Sequence, residues 1–245
     1  MYHSIGGNVT SETGSELYSV PVEKFREQMD LIKTWGQSPK NVDSPQTNPL
    51  ITFDDGLKDN FTNAYPILKE FELKAYFFVM PDKIGTKGYL DWNQIKEMFS
   101  SGMVIGSHGM THRILTEIND TELDYELKES KRLLEENLSM PVEYFSVPRG
   151  FYDQRVVSLA KKVGYKNIFT SNFNNNNGYC IGRIAVKDSW DVNRFSKVIA
   201  NGLTLSDKIE RIAIDTAKKL LGAGIYDRLR TSLLRRRQAA PRNDI

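Results

Sequence analysis

Two short stretches of the chain combine residue types that could do chemistry together. Residues 52–56 read Thr-Phe-Asp-Asp-Gly, so an apolar run ends in two adjacent carboxylates. Residues 107–112 read Ser-His-Gly-Met-Thr-His and hold two of the three histidines of the chain. The four-residue spacing predicts that both imidazoles lie on one side of a helical turn. With one carboxylate they make a three-ligand set, the number that catalytic zinc sites use while a position stays open for water.

The elements before these stretches must place them at one edge of a sheet. Each stretch follows a short apolar run that predicts a buried parallel strand. The carboxyl ends of such strands are where α/β folds gather catalytic groups. Two alternatives remain open at this point. Asp54 and Asp55 could simply cap the next helix, and a turn can hold two histidines without a metal. A structural four-ligand site is disfavoured because Cys180 is the only cysteine.

Strands and helices alternate along most of the chain. A helix is expected after Pro21, with Phe25, Met29, Ile32 and Trp35 as its core stripe, and another after the N-cap residue Asp91. The segment 120–138 predicts a long helix whose Glu and Lys side chains face solvent. The segment 37–49, with three prolines, predicts a loop. This alternation favours parallel βα units, in either a barrel or an open sheet.

The two motifs together resemble the polysaccharide deacetylase family, carbohydrate esterase family 4. The opening residues 1–5 are also similar to the first strand of many members, and the resemblance extends over roughly residues 1–200. It implies an α/β fold, a distorted (β/α) barrel, with a catalytic domain at 1–204 and a basic helical extension at 205–245. It also implies that Asp54 is the general base and that Asp55, His108 and His112 bind a divalent metal. Zinc is the expected ion, with cobalt or nickel as alternatives.

The chain departs from the family pattern at several positions. Gly109 replaces a hydroxyl residue after the first histidine, which predicts weaker hydrogen bonding in that loop. Residues 146–150 read Ser-Val-Pro-Arg-Gly where the family has Arg-x-Pro-aromatic-Gly. Pro148 and Gly150 match, Ser146 replaces the arginine that orients the base, and Arg149 is expected to supply that charge or else to be a surface arginine. Asp188 and Trp190 weakly resemble a motif of the site wall, although a lone Trp is commonly a core residue. With Pro148, Arg149 and Gly150, they form the predicted substrate-binding set.

The expected reaction is removal of an N-acetyl group from an amino sugar of a polysaccharide or glycolipid precursor. A three-ligand metal acidifies water and polarises the carbonyl, and Asp54 takes the proton. No histidine follows His112, so His3 is the candidate general acid; hydrogen bonding at a strand end is its alternative role. Other amide hydrolysis, O-deacetylation and a catalytically dead carbohydrate-binding module with a structural metal remain alternatives.

Composition limits the class of protein and its partners. The 245 residues suffice for one barrel domain, and a net charge of +2 gives no electrostatic case for nucleic acid. One cysteine excludes an internal disulfide, and the start of the chain has no signal-peptide pattern, so a cytoplasmic protein is expected. The tail repeats Leu221, Ile225, Leu229 and Leu233 among basic residues. This helix is predicted either to contact the inner face of the membrane, beside a lipid-linked substrate, or to pack on the barrel.

Overall fold

The computed structural model describes residues 1–7, 15–34, 49–173, 177–222, 224–226 and 228–229. The predicted loop 37–49 therefore lies almost wholly outside the described residues, as do Trp35, Leu233 and the end of the basic tail. Part of the Asn-rich segment at 174–176 also lies outside them.

The core of the fold is a curled, entirely parallel sheet. In the described part of the chain, a six-stranded sheet runs in the order β3-β4-β5-β6-β7-β8, and a two-stranded parallel pair is formed by β1 and β2. The strands are β1 (Ser4–Ile5), β2 (Ser19–Val20), β3 (Thr52–Phe53), β4 (Tyr76–Val79), β5 (Val104–Ser107), β6 (Tyr144–Ser146), β7 (Asn167–Thr170) and β8 (Cys180–Gly182). Every residue of β4, β6 and β7 is buried, which is typical of parallel strands covered on both faces.

The first residues join the two edges of this sheet. Tyr2 donates its N–H to the carbonyl of Thr52 and accepts from the N–H of Asp54, while Met1 accepts from the N–H of Val186. Residues 1–2 therefore lie between β3 and the segment that follows β8. The sheet curls into a distorted (β/α) barrel, as the sequence predicted.

Helices surround the sheet and connect successive strands. They are α1 (Val22–Thr34), α2 (Tyr65–Glu70), α3 (Trp92–Ser100), α4 (Asp120–Asp124), α5 (Ser130–Leu138), α6 (Gln154–Val163), α7 (Val192–Asn201) and α8 (Leu205–Leu221). A π-helical turn, Tyr125–Glu129, joins α4 to α5, so the predicted helix over 120–138 is continuous. Phe25, Met29 and Ile32 of α1 are buried, and Asp91 caps α3 in a reciprocal capping box with Gln94.

Helix α8 lies across the mouth of the barrel. Thr204 caps α8 through a second capping box with Asp207. Glu210, Arg211, Ile214 and Lys218 of this helix line the same pocket as the strand-end carboxylates and histidines. In the described residues, no helix has the length and apolarity needed to cross a membrane.

Candidate active site

The two carboxylates leave strand β3 through a tight turn. Asp54 continues the strand and is buried, whereas Asp55 has a left-handed backbone with φ of 73°. Gly56 follows with φ of 65°, and a Cβ there would lie 3.0 Å from the Val79 side chain. The turn therefore requires glycine, and it brings two adjacent carboxylates to the barrel mouth in different environments.

The two histidines lie on a loop and not on a helical turn. β5 ends at Ser107, and the chain then passes through left-handed conformations at Gly109 (φ 76°) and His112 (φ 67°). The predicted helical turn is therefore wrong, although the imidazoles do come together with ring centroids 5.1 Å apart. A helix would not contain these positive φ values, so the loop itself must be fixed by other contacts.

Glu126 fixes this loop. Its carboxylate accepts hydrogen bonds from the N–H groups of Met110 (2.7 Å) and Thr111 (3.0 Å), and from the hydroxyl of Thr111. A Cβ at Gly109 would lie 2.9 Å from Glu126 Oε2, so the glycine makes room for the carboxylate. Glu126 thus supplies hydrogen bonds that the sequence did not reveal, and the expected weakening by Gly109 stays a prediction. Glu126 was missed because the periodicity of its helix assigned Glu residues to the solvent face.

Asp55, His108 and His112 form the only three-donor cluster found among the described residues. Their donor atoms all lie within 4.8 Å of one another. Asp55 Oδ1 is 3.3 Å from His108 Nε2 and 3.4 Å from His112 Nε2. These separations suit a zinc-sized ion, since tetrahedral ligands at about 2.1 Å from a metal lie about 3.4 Å apart. His108 Nδ1 donates to the Ser146 carbonyl at 2.8 Å, which leaves Nε2 as the ligand atom.

Asp54 is held separately, by an arginine that sequence reasoning did not select. Arg183 Nη1 and Nη2 donate to Asp54 Oδ1 and Oδ2 at 2.7 and 2.8 Å, a bidentate geometry. Ser146 Oγ accepts from Arg183 at 2.7 Å and donates to the carboxylate at 3.1–3.2 Å. The guanidinium also lies 5.3 Å from the ring centroid of Phe78, at the barrel interior. The base candidate is thus fixed in position by groups from β6 and from the residue after β8.

Arg149 does not make the contact that was expected of it. The guanidinium that pairs with Asp54 belongs to Arg183, while Arg149 lines the pocket from a left-handed position with φ of 55°. The prediction that Arg149 supplies the missing charge is therefore wrong. The physical reason is space: the small Ser146 side chain leaves room beside Asp54, and the side chain of Arg183, directly after β8, fills that room. The available signal in the sequence was an arginine inside the otherwise apolar run 181–186.

The pKa values of the site groups follow from these partners. Burial opposes the charge of Asp54, but the Arg183 guanidinium and the nearby His108 together outweigh burial and lower the pKa to about 2. Burial opposes the charge of Asp55 as well, yet contacts with His108 and His112 hold its pKa well below the usual range. Burial disfavours the His108 imidazolium, but the Asp54 and Asp55 carboxylates more than offset this and raise its pKa. Both carboxylates are therefore ionised at neutral pH, and protons compete with any metal at His108.

His3 lies in the same pocket as Asp54, Asp55 and the two ligand histidines. Its ring is 5.1 Å from that of Tyr18, and its buried Nδ1 has no hydrogen-bond partner among the described residues. Burial lowers the pKa of His3, with the Asp55 carboxylate acting in the opposite direction. The structure thus brings His3 to the site but favours its neutral form near pH 7, and the role of general acid stays a prediction.

His3→Gln tests that role. Gln keeps hydrogen-bonding atoms but cannot act as an acid near neutral pH. If His3 protonates the leaving amine, we expect turnover to fall by about 10²-fold and the basic limb of the pH profile to change. Unchanged turnover with an unchanged basic limb would refute the role of His3 as the acid.

The other predicted substrate-binding residues divide between the pocket and its surroundings. Gly150 and Trp190 line the pocket with Arg149. Pro148 is buried and packs against the histidine loop, 3.4 Å from where a Gly109 Cβ would lie. Asp188 is not brought to the pocket, because its carboxylate faces Lys24 at 3.6 Å on the exposed surface. Lys187, next to it in sequence, reaches the pocket instead.

The fold is a distorted (β/α) barrel with carboxylates and histidines at its strand ends, and comparisons with known proteins identify the family to which it belongs. The polysaccharide deacetylase family model matches residues 41–168, more than half of the chain. The chain belongs to this family. It is also similar to the deacetylase PplD of Streptococcus pyogenes, solved in complex with acetate, with a TM-score of 0.72 and 26% identity over 81% of this chain and 96% of that one.

Two curated relatives show the range of the similarity. The Bacillus subtilis protein YxkH is 33% identical over 68% of this chain and 61% of its own length. A peptidoglycan-N-acetylglucosamine deacetylase of Bacillus cereus is 28% identical over 49% of this chain and 55% of its own. The chain thus spans a little over half the length of these two relatives.

Proposed function

We propose that this protein is a metal-dependent hydrolase that removes N-acetyl groups from an amino sugar of a polysaccharide or glycolipid precursor. The observation that carries the proposal is that two adjacent carboxylates have different partners. Asp55 joins His108 and His112 in a three-donor set, while Asp54 is held apart by Arg183 in the same pocket. A purely structural metal site would have no use for the second carboxylate.

In this mechanism the chain positions a base beside a metal. A divalent ion bound by Asp55, His108 and His112 would supply acidified water and a polarised carbonyl. Asp54 accepts the proton, since the single Ser146 hydroxyl proton is shared between the two carboxylate oxygens and one lone pair stays available. Arg183 keeps this carboxylate ionised and prevents it from rotating. The loop at Val147, Arg149 and Gly150 borders the place where the acyl group would lie.

The substrate class draws on what the relatives are named for. The Bacillus cereus relative is named for peptidoglycan N-acetylglucosamine. A Staphylococcus aureus relative, 24% identical over 70% of this chain, is named a poly-β-1,6-N-acetyl-D-glucosamine N-deacetylase. For this chain we propose an acetylated amino sugar, lipid-linked during biosynthesis. The ion is proposed to be zinc, with cobalt or nickel as alternatives, and a cytoplasmic location stays a prediction.

The substrate assignment is tested by acetate release from matched panels of N-acetylated and O-acetylated oligosaccharides. The proposal expects acetate from the N-acetylated panel, with the free amine as co-product. Release from the O-acetylated panel alone would establish an esterase instead. Binding of the oligosaccharides without any acetate release would favour the catalytically dead module.

Glu126→Ala is expected to weaken metal binding without removing a ligand. The variant deletes three hydrogen bonds that hold the loop between His108 and His112. Loss of groups that orient metal ligands typically costs about 10- to 100-fold in metal affinity. Metal competition with a chromogenic chelator measures this change.

Two further variants separate positioning from general destabilisation. Glu126→Gln keeps one acceptor oxygen and should recover part of the affinity. Glu129→Gln on the same helix removes a half-buried carboxylate that pairs with Arg132, and it should leave metal affinity unchanged. Equal affinity in Glu126→Ala and the intact chain would show that the loop needs no such support.

A further inference from the structure

Helix α8 exposes several of its apolar side chains to solvent instead of burying them. Its outward face exposes apolar residues at helical spacings of four, three and eight residues, which we call the α8 stripe. The α8 stripe consists of Leu205, Ile209, Ile212 and Leu220, with exposed fractions of 75%, 58%, 53% and 81%. Amphipathic helices of a soluble domain usually turn such a stripe toward the core.

The polar face of α8 is turned toward the catalytic pocket. Asp207 pairs with Arg194 at 2.5 Å, and Glu210 approaches Lys187 at 3.6 Å. Further along the helix, Lys218 Nζ lies 4.8 Å from the ring centroid of Phe151. These contacts fix the rotation of the helix, so the α8 stripe cannot turn inward without breaking both ion pairs. A contiguous apolar face of this kind marks an interaction surface.

The chain beyond α8 continues the same chemistry. Leu221, Ile225 and Leu229 are 40%, 57% and 50% exposed, so the structure does not pack these tail residues on the barrel. From residue 219 to 242, beyond the pocket-facing Lys218, the sequence holds seven basic residues against the single acidic Asp227. An apolar face followed in sequence by basic residues suits an anionic lipid surface, to which nearby basic residues are attracted. A second copy of the chain fits less well, because pairing two α8 helices would bring two basic tails together.

We propose that the α8 stripe docks on an anionic lipid bilayer. Because α8 also lines the catalytic pocket, docking holds that pocket about one helix diameter, ~10 Å, from the lipid surface. The role that we assign to docking rests on the proposed function: the bilayer would present lipid-linked amino sugars to Asp54 and the three-donor set. The docking itself does not depend on catalysis.

Co-sedimentation of the intact chain with vesicles of phosphatidylglycerol and phosphatidylcholine tests the docking. The intact chain is expected to bind these vesicles and to bind phosphatidylcholine vesicles more weakly. Replacing Ile209 and Ile212 together with Ser should weaken binding by at least about tenfold, since both side chains would leave the interface. Replacing Leu205 and Leu220, the most exposed pair, provides a second variant whose folding is least at risk.

The matched control replaces Tyr125 and Met140 with Ser. These side chains are 51% and 50% exposed but lie outside α8, so vesicle binding should not change. Equal binding by the stripe variants and the intact chain would overturn the proposal. A dimer that the stripe variants dissociate, in a protein that binds no vesicles, would overturn it in favour of a second copy.

Turnover separates this inference from the proposed function. The stripe variants should deacetylate a soluble N-acetylated oligosaccharide at the rate of the intact chain. Vesicle binding with no acetate release from any substrate would refute the proposed function and leave the docking supported. Acetate release without vesicle binding would refute the docking alone.

Discussion

Asp54→Asn is expected to retain the metal and to lose hydrolysis by about 10²- to 10⁴-fold. The amide of Asn can still hydrogen-bond to Ser146 and Arg183, but it cannot accept a proton near neutral pH. The ligand atoms of Asp55, His108 and His112 are untouched, so metal content should match that of the intact chain. Parallel elemental analysis and acetate release measure both quantities on the same sample.

Ser146→Ala is the matched control for this variant. It removes the hydroxyl that donates to Asp54 but keeps the carboxylate and its bidentate arginine. Its loss of turnover should be far smaller than that of Asp54→Asn. Turnover of Asp54→Asn at the rate of the intact chain would mean that another group takes the proton.

Arg183→Met is expected to destabilise the metal-free protein by about 3–5 kcal/mol at neutral pH. The side chains of Arg183 and Asp54 are only 6% and 5% exposed, so the variant leaves a buried carboxylate without its counter-ion. The pKa of Asp54 should then rise, because burial is no longer outweighed. Denaturant unfolding of chelated protein across pH measures the effect.

The sign of the pH dependence follows from the direction of the shift. In the intact chain, Asp54 has a pKa of about 2, below its unfolded value, so the ion pair stabilises the fold above about pH 4. That contribution is lost as the pH falls toward the folded pKa. The difference between the intact chain and Arg183→Met should therefore be largest near neutrality and shrink toward pH 2.

An exposed arginine provides the control for Arg183→Met. Arg26→Met removes a guanidinium that pairs with Glu70 on the surface, and it should leave the unfolding midpoint nearly unchanged. The acid limb of the activity profile should also move to higher pH in Arg183→Met alone. A pH-independent stability difference would contradict the role assigned to the ion pair.

Local sequence signals predicted the scaffold and the ligand cluster. β3 and β5 are buried parallel strands that end next to Asp54 and His108. The residues that follow them therefore lie at one edge of the sheet, and the carboxylates and histidines come close together because of the topology. The capping residue Asp91 and the stripe of α1 were equally local. Each of these features depends on residues that are neighbours in sequence or on the direction of strands.

Contacts between distant segments could not be predicted in the same way. Arg183 lies 129 residues from Asp54 in sequence, and Glu126 acts on a loop 15–16 residues before it. The left-handed turn at His112 depends on that carboxylate and on Gly109, so helical spacing was the wrong guide. The orientation of α8 depends on ion pairs with Lys187 and Arg194, which no periodicity shows.

The most direct test of the central claim measures metal content and acetate release together in the intact chain and in His112→Ala. The intact chain should hold one divalent ion, release acetate from N-acetylated oligosaccharides, lose that activity on chelation and regain it when the ion is restored. His112→Ala should hold little metal and release no acetate. Full metal occupancy in His112→Ala, or acetate release that survives complete chelation, would contradict the account.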